Sequence, residues 1–260
     1  MDYHSVMKTV DYDLPLAQKI RRDIVRALND YDMIQANDRI MVCVSGGKDS
    51  TILSLLLKEI QRRAEVDFSF ECVCLDQKQP GFDAAAFIEF YKAHDIKLTI
   101  VERDTYSVVK EKTPEGKAYC TLCSKFRRAI LYDHASALGM SKLALGHHRD
   151  DLIETLFLNM FYVGHISSMP PKLVNDEGTH TVIRPLCYVK EDDLIELKNQ
   201  WAFPIIPCNL CGSQEGLKRK KMKKLIKELE VDIPNVGSSV MTAMKNIKPS
   251  HLLDSSLWKF

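Results

Sequence analysis

The sequence predicts an α/β protein: a parallel sheet flanked by helices, with an N-terminal helix and a short helical C-terminal extension. Three observations carry that expectation. Apolar runs at 40–44, 68–75, 98–101 and 142–145 alternate with segments of helical period, the pattern of a sheet covered on both faces. The first run stops at Ser45-Gly-Gly-Lys-Asp-Ser50 and passes directly into a leucine-rich helix. The second run ends in a polar turn, Asp76-Gln-Lys-Gln-Pro-Gly81. Both turns therefore fall at the carboxyl ends of strands, where open α/β sheets bind ligands.

A chain of 260 residues fits one large domain with additions. The expected division is a helical segment over 1–35, the main domain over 36–212, and a basic helical extension over 213–260. With 45% apolar and 27% charged residues, the composition is that of an ordinary globular protein rather than a disordered or fibrous one. No apolar run reaches the length of a membrane span, and residues 1–13 lack a signal-type stretch. A cytoplasmic protein with no membrane partner is expected. In that compartment the eight cysteines are not expected to form structural disulfides.

Residues 14–31 read as an amphipathic helix, with Leu16, Ile20, Ile24 and Leu28 on one face and Lys19, Arg22 and Arg26 between them. A strand begins at Arg39. After the Ser-Gly-Gly turn a core helix spans 51–63, and a strand follows over 68–75. Asp83 is expected to cap a helix through about His94, before a third strand at 98–101. The stretch 113–119, with Pro114 and Gly116, reads as a loop leading to Cys120-Thr-Leu-Cys123, and a helix is expected over 124–138. A fourth strand, 142–145, runs into Gly146-His-His-Arg-Asp-Asp151 and a helix through Tyr162. Residues 164–171 are irregular, 172–184 read as a hairpin, and 191–201 as a helix. An extended run at 203–207 delivers Cys208-Asn-Leu-Cys211. A helix over 216–230 and a short one near 240–246 complete the pattern.

The Ser45–Ser50 turn has the makings of an anion site. A helix start leaves backbone N–H groups without partners, and its dipole favours negative charge. Gly46 and Gly47 permit a tight turn and close approach. Lys48 adds charge, and Ser45 and Ser50 add hydroxyls. Lys48 is followed by Asp49, and the turn is too short for a Walker loop. A phosphate or pyrophosphate ligand is expected. At the second strand's end, Asp76 shares that edge; in related adenylating folds this strand end lines the adenine pocket, which makes Cys74 and Leu75 candidates for that wall. Asp150 and Asp151 open a helix after a strand. Either caps that helix, or one of them holds Mg²⁺ on a triphosphate together with Asp49.

The pairs Cys120/Cys123 and Cys208/Cys211 point to zinc, an iron–sulfur cluster or a redox disulfide. Cys43, Cys72, Cys74 and Cys187 lie in apolar runs and read as small buried hydrophobes. Lys125, Arg127 and Arg128 begin the helix after the first pair, where cations oppose the dipole and call for an anionic neighbour. Lys218, Arg219, Lys220, Lys221, Lys223, Lys224 and Lys227 place seven cations within ten residues, a footprint for nucleic acid.

The turn resembles the pyrophosphate loop of the ATP pyrophosphatase (PP-loop) superfamily, whose fold is adenine nucleotide alpha hydrolase-like. Taken with the Asp76–Gly81 turn, both cysteine pairs, the Leu145–Asp151 run, Thr155-Leu-Phe-Leu-Asn-Met-Phe-Tyr162, Met169-Pro-Pro-Lys172 and Pro249-Ser-His-Leu252, the chain resembles the tRNA 2-thiocytidine synthetase family over nearly its whole length. The resemblance implies a tRNA-cytidine(32) 2-sulfurtransferase. ATP and Mg²⁺ would adenylate the C2 oxygen of an anticodon-loop cytidine, and sulfur would displace AMP. It implies a [4Fe-4S] cluster on Cys120, Cys123 and Cys208; for that chemistry Lys48, Asp49, Asp151 and Arg127 are, from their positions, the candidate catalytic residues. It further implies tRNA on the basic helix, a cysteine desulfurase as sulfur donor, and a homodimer. Cys211 is left as a non-ligand or a sulfur relay.

Overall fold

A computed structural model describes residues 10–78, 82, 84–112, 120–205 and 214–258, with the side chains at 120–121 and 214–216 outside that description. The six-stranded sheet runs in the order β3-β2-β1-β4-β6-β5, where β1 is Arg39–Val44, β2 Ser69–Asp76, β3 Leu98–Glu102, β4 Lys142–Leu145, β5 Lys172–Val174 and β6 Thr181–Ile183. All neighbouring pairs are parallel except β5–β6, the predicted hairpin. β1 pairs with β2 on one side and β4 on the other. The chain reverses its direction of winding there, which opens a crevice at the carboxyl ends of β1 and β4.

The strands' alternation divides the core. Ile40, Val42, Val44, Cys72 and Cys74 face one layer, packed with α1 (Pro15–Asp30), α2 (Lys48–Arg63), α3 (Ala85–Ala93) and α7 (Glu191–Trp201). Met41, Val73 and Leu143 face the other, against Leu131 and Ala135 of α5 (Cys120–Ala137). Leu53, Leu55, Leu56 and Leu57 of α2 are all fully buried, so the loop before them stands on a rigid base. Outside the sheet, α8 (Gln214–Asp232) packs on α6 (Arg149–Leu158), and α9 (Val236–Lys245) packs on both.

Several boundaries differ from expectation. The first cysteine pair lies on the opening turn of α5 rather than in a preceding loop, because nothing between Cys120 and Ser124 breaks a helix. A short helix, α4 (Thr105–Lys112), follows β3 where the sequence pattern predicts none. Its signal is Asp104, whose carboxylate accepts the Ser107 N–H at 2.9 Å, a cap on a helix of weak periodicity. α6 stops at Leu158 and continues as a π turn, Asn159–Val163, closed by Gly164 at φ +84°. The last predicted helix starts earlier, at Val236. Asp83 and the loop 113–119 lie outside the described residues. Among the described residues no helix is long and apolar enough to cross a membrane.

Candidate functional site

The turn after β1 is a short bridge onto an uncapped helix. Gly46 takes φ +82°, and Gly47 sits at the N-cap of α2 in extended conformation. Having no side chain, Gly47 cannot cap, and no side-chain hydrogen bond closes this helix start. The first-turn N–H groups therefore face the crevice with the positive end of the dipole. Hydroxyls lace the turn together. Ser50 Oγ receives the Ser45 N–H at 3.2 Å and donates to the Gly47 carbonyl at 3.3 Å, while Thr51 Oγ1 donates to that carbonyl at 3.0 Å. Ser45 Oγ accepts the Gly47 N–H at 3.4 Å. The turn is a cradle suited to an anion.

β4 forms the opposite wall. A Cβ placed on Gly146 would lie 2.9 Å from the Ser50 nitrogen and 3.1 Å from its Cα, so only glycine lets the end of β4 meet the first turn of α2. Backbone cannot yield there as a flexible side chain would. Gly146→Ala is expected to cost about 1–3 kcal/mol of stability through overpacking. It should also weaken inorganic pyrophosphate binding by displacing the start of α2. Thermal denaturation and calorimetric titration with pyrophosphate check both effects.

Charges around the crevice alternate in sign. Lys48 Nζ lies 3.0 Å from Asp49 Oδ1 and 3.5 Å from Glu191 Oε1, at the start of α7. Glu191 also pairs with Lys223 of α8. Burial works to raise the Glu191 pKa, but the bound Lys223 ammonium and nearby Lys48 together hold it below the ordinary range. Asp49 Oδ1 is buried and faces the Lys48 ammonium, which donates its hydrogen bond to the other oxygen at 3.2 Å. Asp151 accepts the His148 N–H at 3.0 Å, the expected cap, and its other oxygen lies 3.3 Å from Arg219. Asp150 has a different task. It binds Arg149 at 2.7 Å and accepts the Glu191 N–H at 2.7 Å, so it ties α7 to α6. Burial works to raise its pKa, and those bonds outweigh it to lower it. Of the two neighbouring aspartates, Asp150 is thus the structural one.

Behind this wall, Arg184 donates from Nε to His147 Nδ1 at 3.2 Å, which puts the imidazole proton on Nε2. Burial pushes His147 well below its ordinary pKa, so the ring is neutral.

The cysteine edge adjoins the same crevice. Cys123 lies on the first turn of α5 and donates from Sγ to Gln77 Oε1 at 3.1 Å, just past the end of β2. Asp76 is buried and folds back on its own turn, accepting the Lys78 N–H at 2.7 Å. Arg127, one turn beyond Cys123, is close enough to the strand ends for its charge to favour the Cys43 and Cys74 thiolates. Burial wins over it and pushes both thiols up to about 12, and it does the same to Cys72 and Cys187. Cys72, Cys74 and Cys187 are buried, as expected, while Cys43 is half-buried and packs against the Leu131 layer. Cys74 is 1% exposed and sits in the main core. The side chain of Cys120, together with Cys208 and Cys211, lies outside the described residues. Among the described residues no three His, Cys, Asp or Glu side chains cluster as metal ligands.

The basic run divides into two faces of α8. Arg219 pairs with Asp151 and Glu154, Lys223 with Glu191, and Lys227 with Asp192, a row at helical spacing turned toward the domain. Lys220, Lys221 and Lys224 are exposed, and Lys218 stands over the Tyr162 ring at 4.7 Å from its centroid. Sequence reasoning missed Glu191 and gave no task to Gln77. An acid at the first position of a helix was the only signal for Glu191, and Gln77 showed only as part of a motif.

A family described as a PP-loop domain matches residues 16–204. A tRNA-cytidine(32) 2-sulfurtransferase of Bdellovibrio bacteriovorus is 58% identical over 251 residues, covering 96% of this chain and 96% of that protein. One of Tolumonas auensis is 52% identical over 245 residues, covering 94% of this chain and 81% of the relative. A solved structure of the U34-tRNA thiolase NcsA from Methanococcus maripaludis, with its [4Fe-4S] cluster, matches with a TM-score of 0.70. The match covers 90% of this chain and 80% of that one at 20% identity, which speaks for the fold alone.

Proposed function

The chain belongs to the tRNA-cytidine(32) 2-sulfurtransferase family of PP-loop enzymes, and from that premise we propose that it uses ATP to replace the C2 oxygen of cytidine 32 in tRNA with sulfur. One observation supports the reading most: the uncapped start of α2, with Lys48, shares the sheet's carboxyl edge with Cys123.

The C2 oxygen of cytosine is a poor leaving group. In the first step it attacks the α-phosphorus of ATP and pyrophosphate departs. In the second, a sulfur nucleophile attacks C2 and the oxygen leaves as part of AMP. Lys48 and the first-turn amides of α2 neutralise charge that grows on the departing pyrophosphate. To do so, Lys48 must exchange Asp49 and Glu191 for phosphate oxygens, and its partly exposed rim position permits that swing. Asp49 and Asp151 would hold Mg²⁺, which would offset the negative charge of the triphosphate. Arg127 faces the strand ends from α5 and steadies negative charge there. Cys120, Cys123 and Cys208 would hold a [4Fe-4S] cluster, whose bound form supplies an iron able to carry the incoming sulfur. Cys123 fits that role, since its thiol reaches the crevice edge and is held by an amide. The sulfur itself derives from a cysteine desulfurase.

Binding of tRNA falls to the outward face of α8. Lys220, Lys221 and Lys224 are exposed to meet phosphates, Lys224 across a surface pair with Glu228 at 3.6 Å, and such contacts contribute affinity rather than sequence choice. The target base leaves its stack to reach the crevice. Replacing these three lysines by Gln is expected to lower the slope of log affinity against log salt by about 2–3. Arg219→Gln is expected instead to loosen α8 from α6, lowering stability with little change in that slope. Filter binding of tRNA over a salt series separates the two.

The proposal as a whole is tested by following AMP during single-turnover thiolation. AMP formation equal to the thiolated cytidine formed, and dependent on tRNA, supports it. Thiolation without nucleotide cleavage would refute the adenylation step.

A further inference from the structure

We propose that Gln77 is a positioning residue for the sulfur chemistry: its side-chain amide orients Cys123 and donates an N–H to that sulfur when the thiolate binds metal. The inference deepens the cluster reading above and rests on it.

The geometry is specific. Gln77 follows the last residue of β2 and is 4% exposed. Its backbone carbonyl accepts the Tyr106 N–H at 3.2 Å, which fixes the main chain against α4. Its Oε1 accepts two donors at once, Thr105 Oγ1 at 3.1 Å and Cys123 Sγ at 3.1 Å. Thr105 is itself buried. One amide thus joins the end of β2, the first residue of α4 and the first turn of α5.

Chemistry then dictates what changes with state. A thiol donates, so the metal-free protein turns the amide oxygen toward Cys123. A metal-bound thiolate has no proton and only accepts. A buried carbonyl oxygen left facing it would be repelled and would lose one of its two donors, keeping only Thr105. Rotation of the amide by half a turn cures this. The NH₂ group then faces both the thiolate sulfur and Thr105 Oγ1, and the threonine hydroxyl serves equally well as an acceptor. The same three groups stay bonded in both states with no movement of the backbone. Hydrogen bonds to cluster sulfurs help set reduction potential, and an N–H donor stabilises the more negative, reduced form.

A purely structural Gln77 would make the same bonds in the metal-free chain, so the test reads the metal-bound state. The wild-type protein and Gln77→Met, which is similar in length and has no amide, are reconstituted anaerobically with iron and sulfide. Iron content, midpoint potential and iron loss to a chelator are then measured. The expected result is a Gln77→Met protein that takes up iron, has a more negative potential than wild type, and loses iron about 10–100-fold faster. Thr105→Val, which removes the amide's anchor and leaves Gln77 in place, is expected to shift the potential in the same direction by less. It decides the matter if Gln77→Met does not fold. Variants with the wild-type potential and wild-type iron retention would overturn the proposal. A wild-type protein that takes up no iron would overturn the cluster reading itself, and is recognised before any variant is compared.

Discussion

Replacing Lys48 by Met lowers the single-turnover rate of tRNA thiolation about 10²–10³-fold, the usual cost of removing one donor aimed at developing charge. The melting temperature moves by no more than about 4 °C. The two expectations separate because of where Lys48 sits. Its side chain is 21% exposed at the rim of the crevice, and its partners are the carboxylates of Asp49 and Glu191. Ion pairs in such settings are worth about 0–1 kcal/mol. Glu191 keeps Lys223 when Lys48 is removed, and Asp49, which loses its lysine, is partly exposed and falls back on water. The leaving pyrophosphate has no such replacement. Lys48→Arg is expected to recover only part of the rate, since a planar guanidinium does not fit where a compact ammonium sits between two helix starts. Rapid-quench assays with saturating tRNA, alongside thermal denaturation, measure both quantities.

Cys123→Ser has an equally large effect on a different step. Thiolation falls below about one per cent of wild type, because a serine hydroxyl is a poor substitute for a thiolate toward iron. The fold survives. The serine hydroxyl still donates to Gln77 Oε1, so the joint between β2 and α5 keeps its bond. ATP binding also survives, since the cradle at Ser45, Gly46, Gly47 and Ser50 is built from α2 and β1 alone. Iron analysis after anaerobic purification, with calorimetric titration of a non-hydrolysable ATP analogue, checks the pair of outcomes. Loss of nucleotide binding in this variant would mean the two halves of the site are not separable.

The parts of this protein that were legible in sequence are those fixed by local chemistry. Ile40–Val44 followed by Ser-Gly-Gly is a strand meeting a turn that glycine alone allows, and Gly46 does take a positive φ. The hairpin ending at Arg184 and the helix from Pro15 follow from period and turn residues in the same way. What stayed hidden depends on folding over distance. Glu191 meets Lys48 because Asp150 takes hold of the start of α7, and nothing near residue 191 announces that. The basic run read as a uniform polyanion surface. Its inward row is instead spent on Asp151, Glu154, Glu191 and Asp192, acids that come from two other helices. Gln77 looks like one polar residue among several in a turn until Cys123 and Thr105 arrive from α5 and α4. In each case the missing information was tertiary: which opposite charge or donor the fold brings within reach.

The central claim is that one crevice activates a tRNA oxygen with ATP and replaces it with sulfur. Its most direct measurement is mass spectrometry of nucleosides from cytidine-32 tRNA incubated anaerobically with the iron-reconstituted protein, sulfide, Mg²⁺ and ATP. The account predicts 2-thiocytidine at that position, absent when ATP is left out and absent with Lys48→Met. Unmodified cytidine from folded, iron-replete protein with all components present would contradict it.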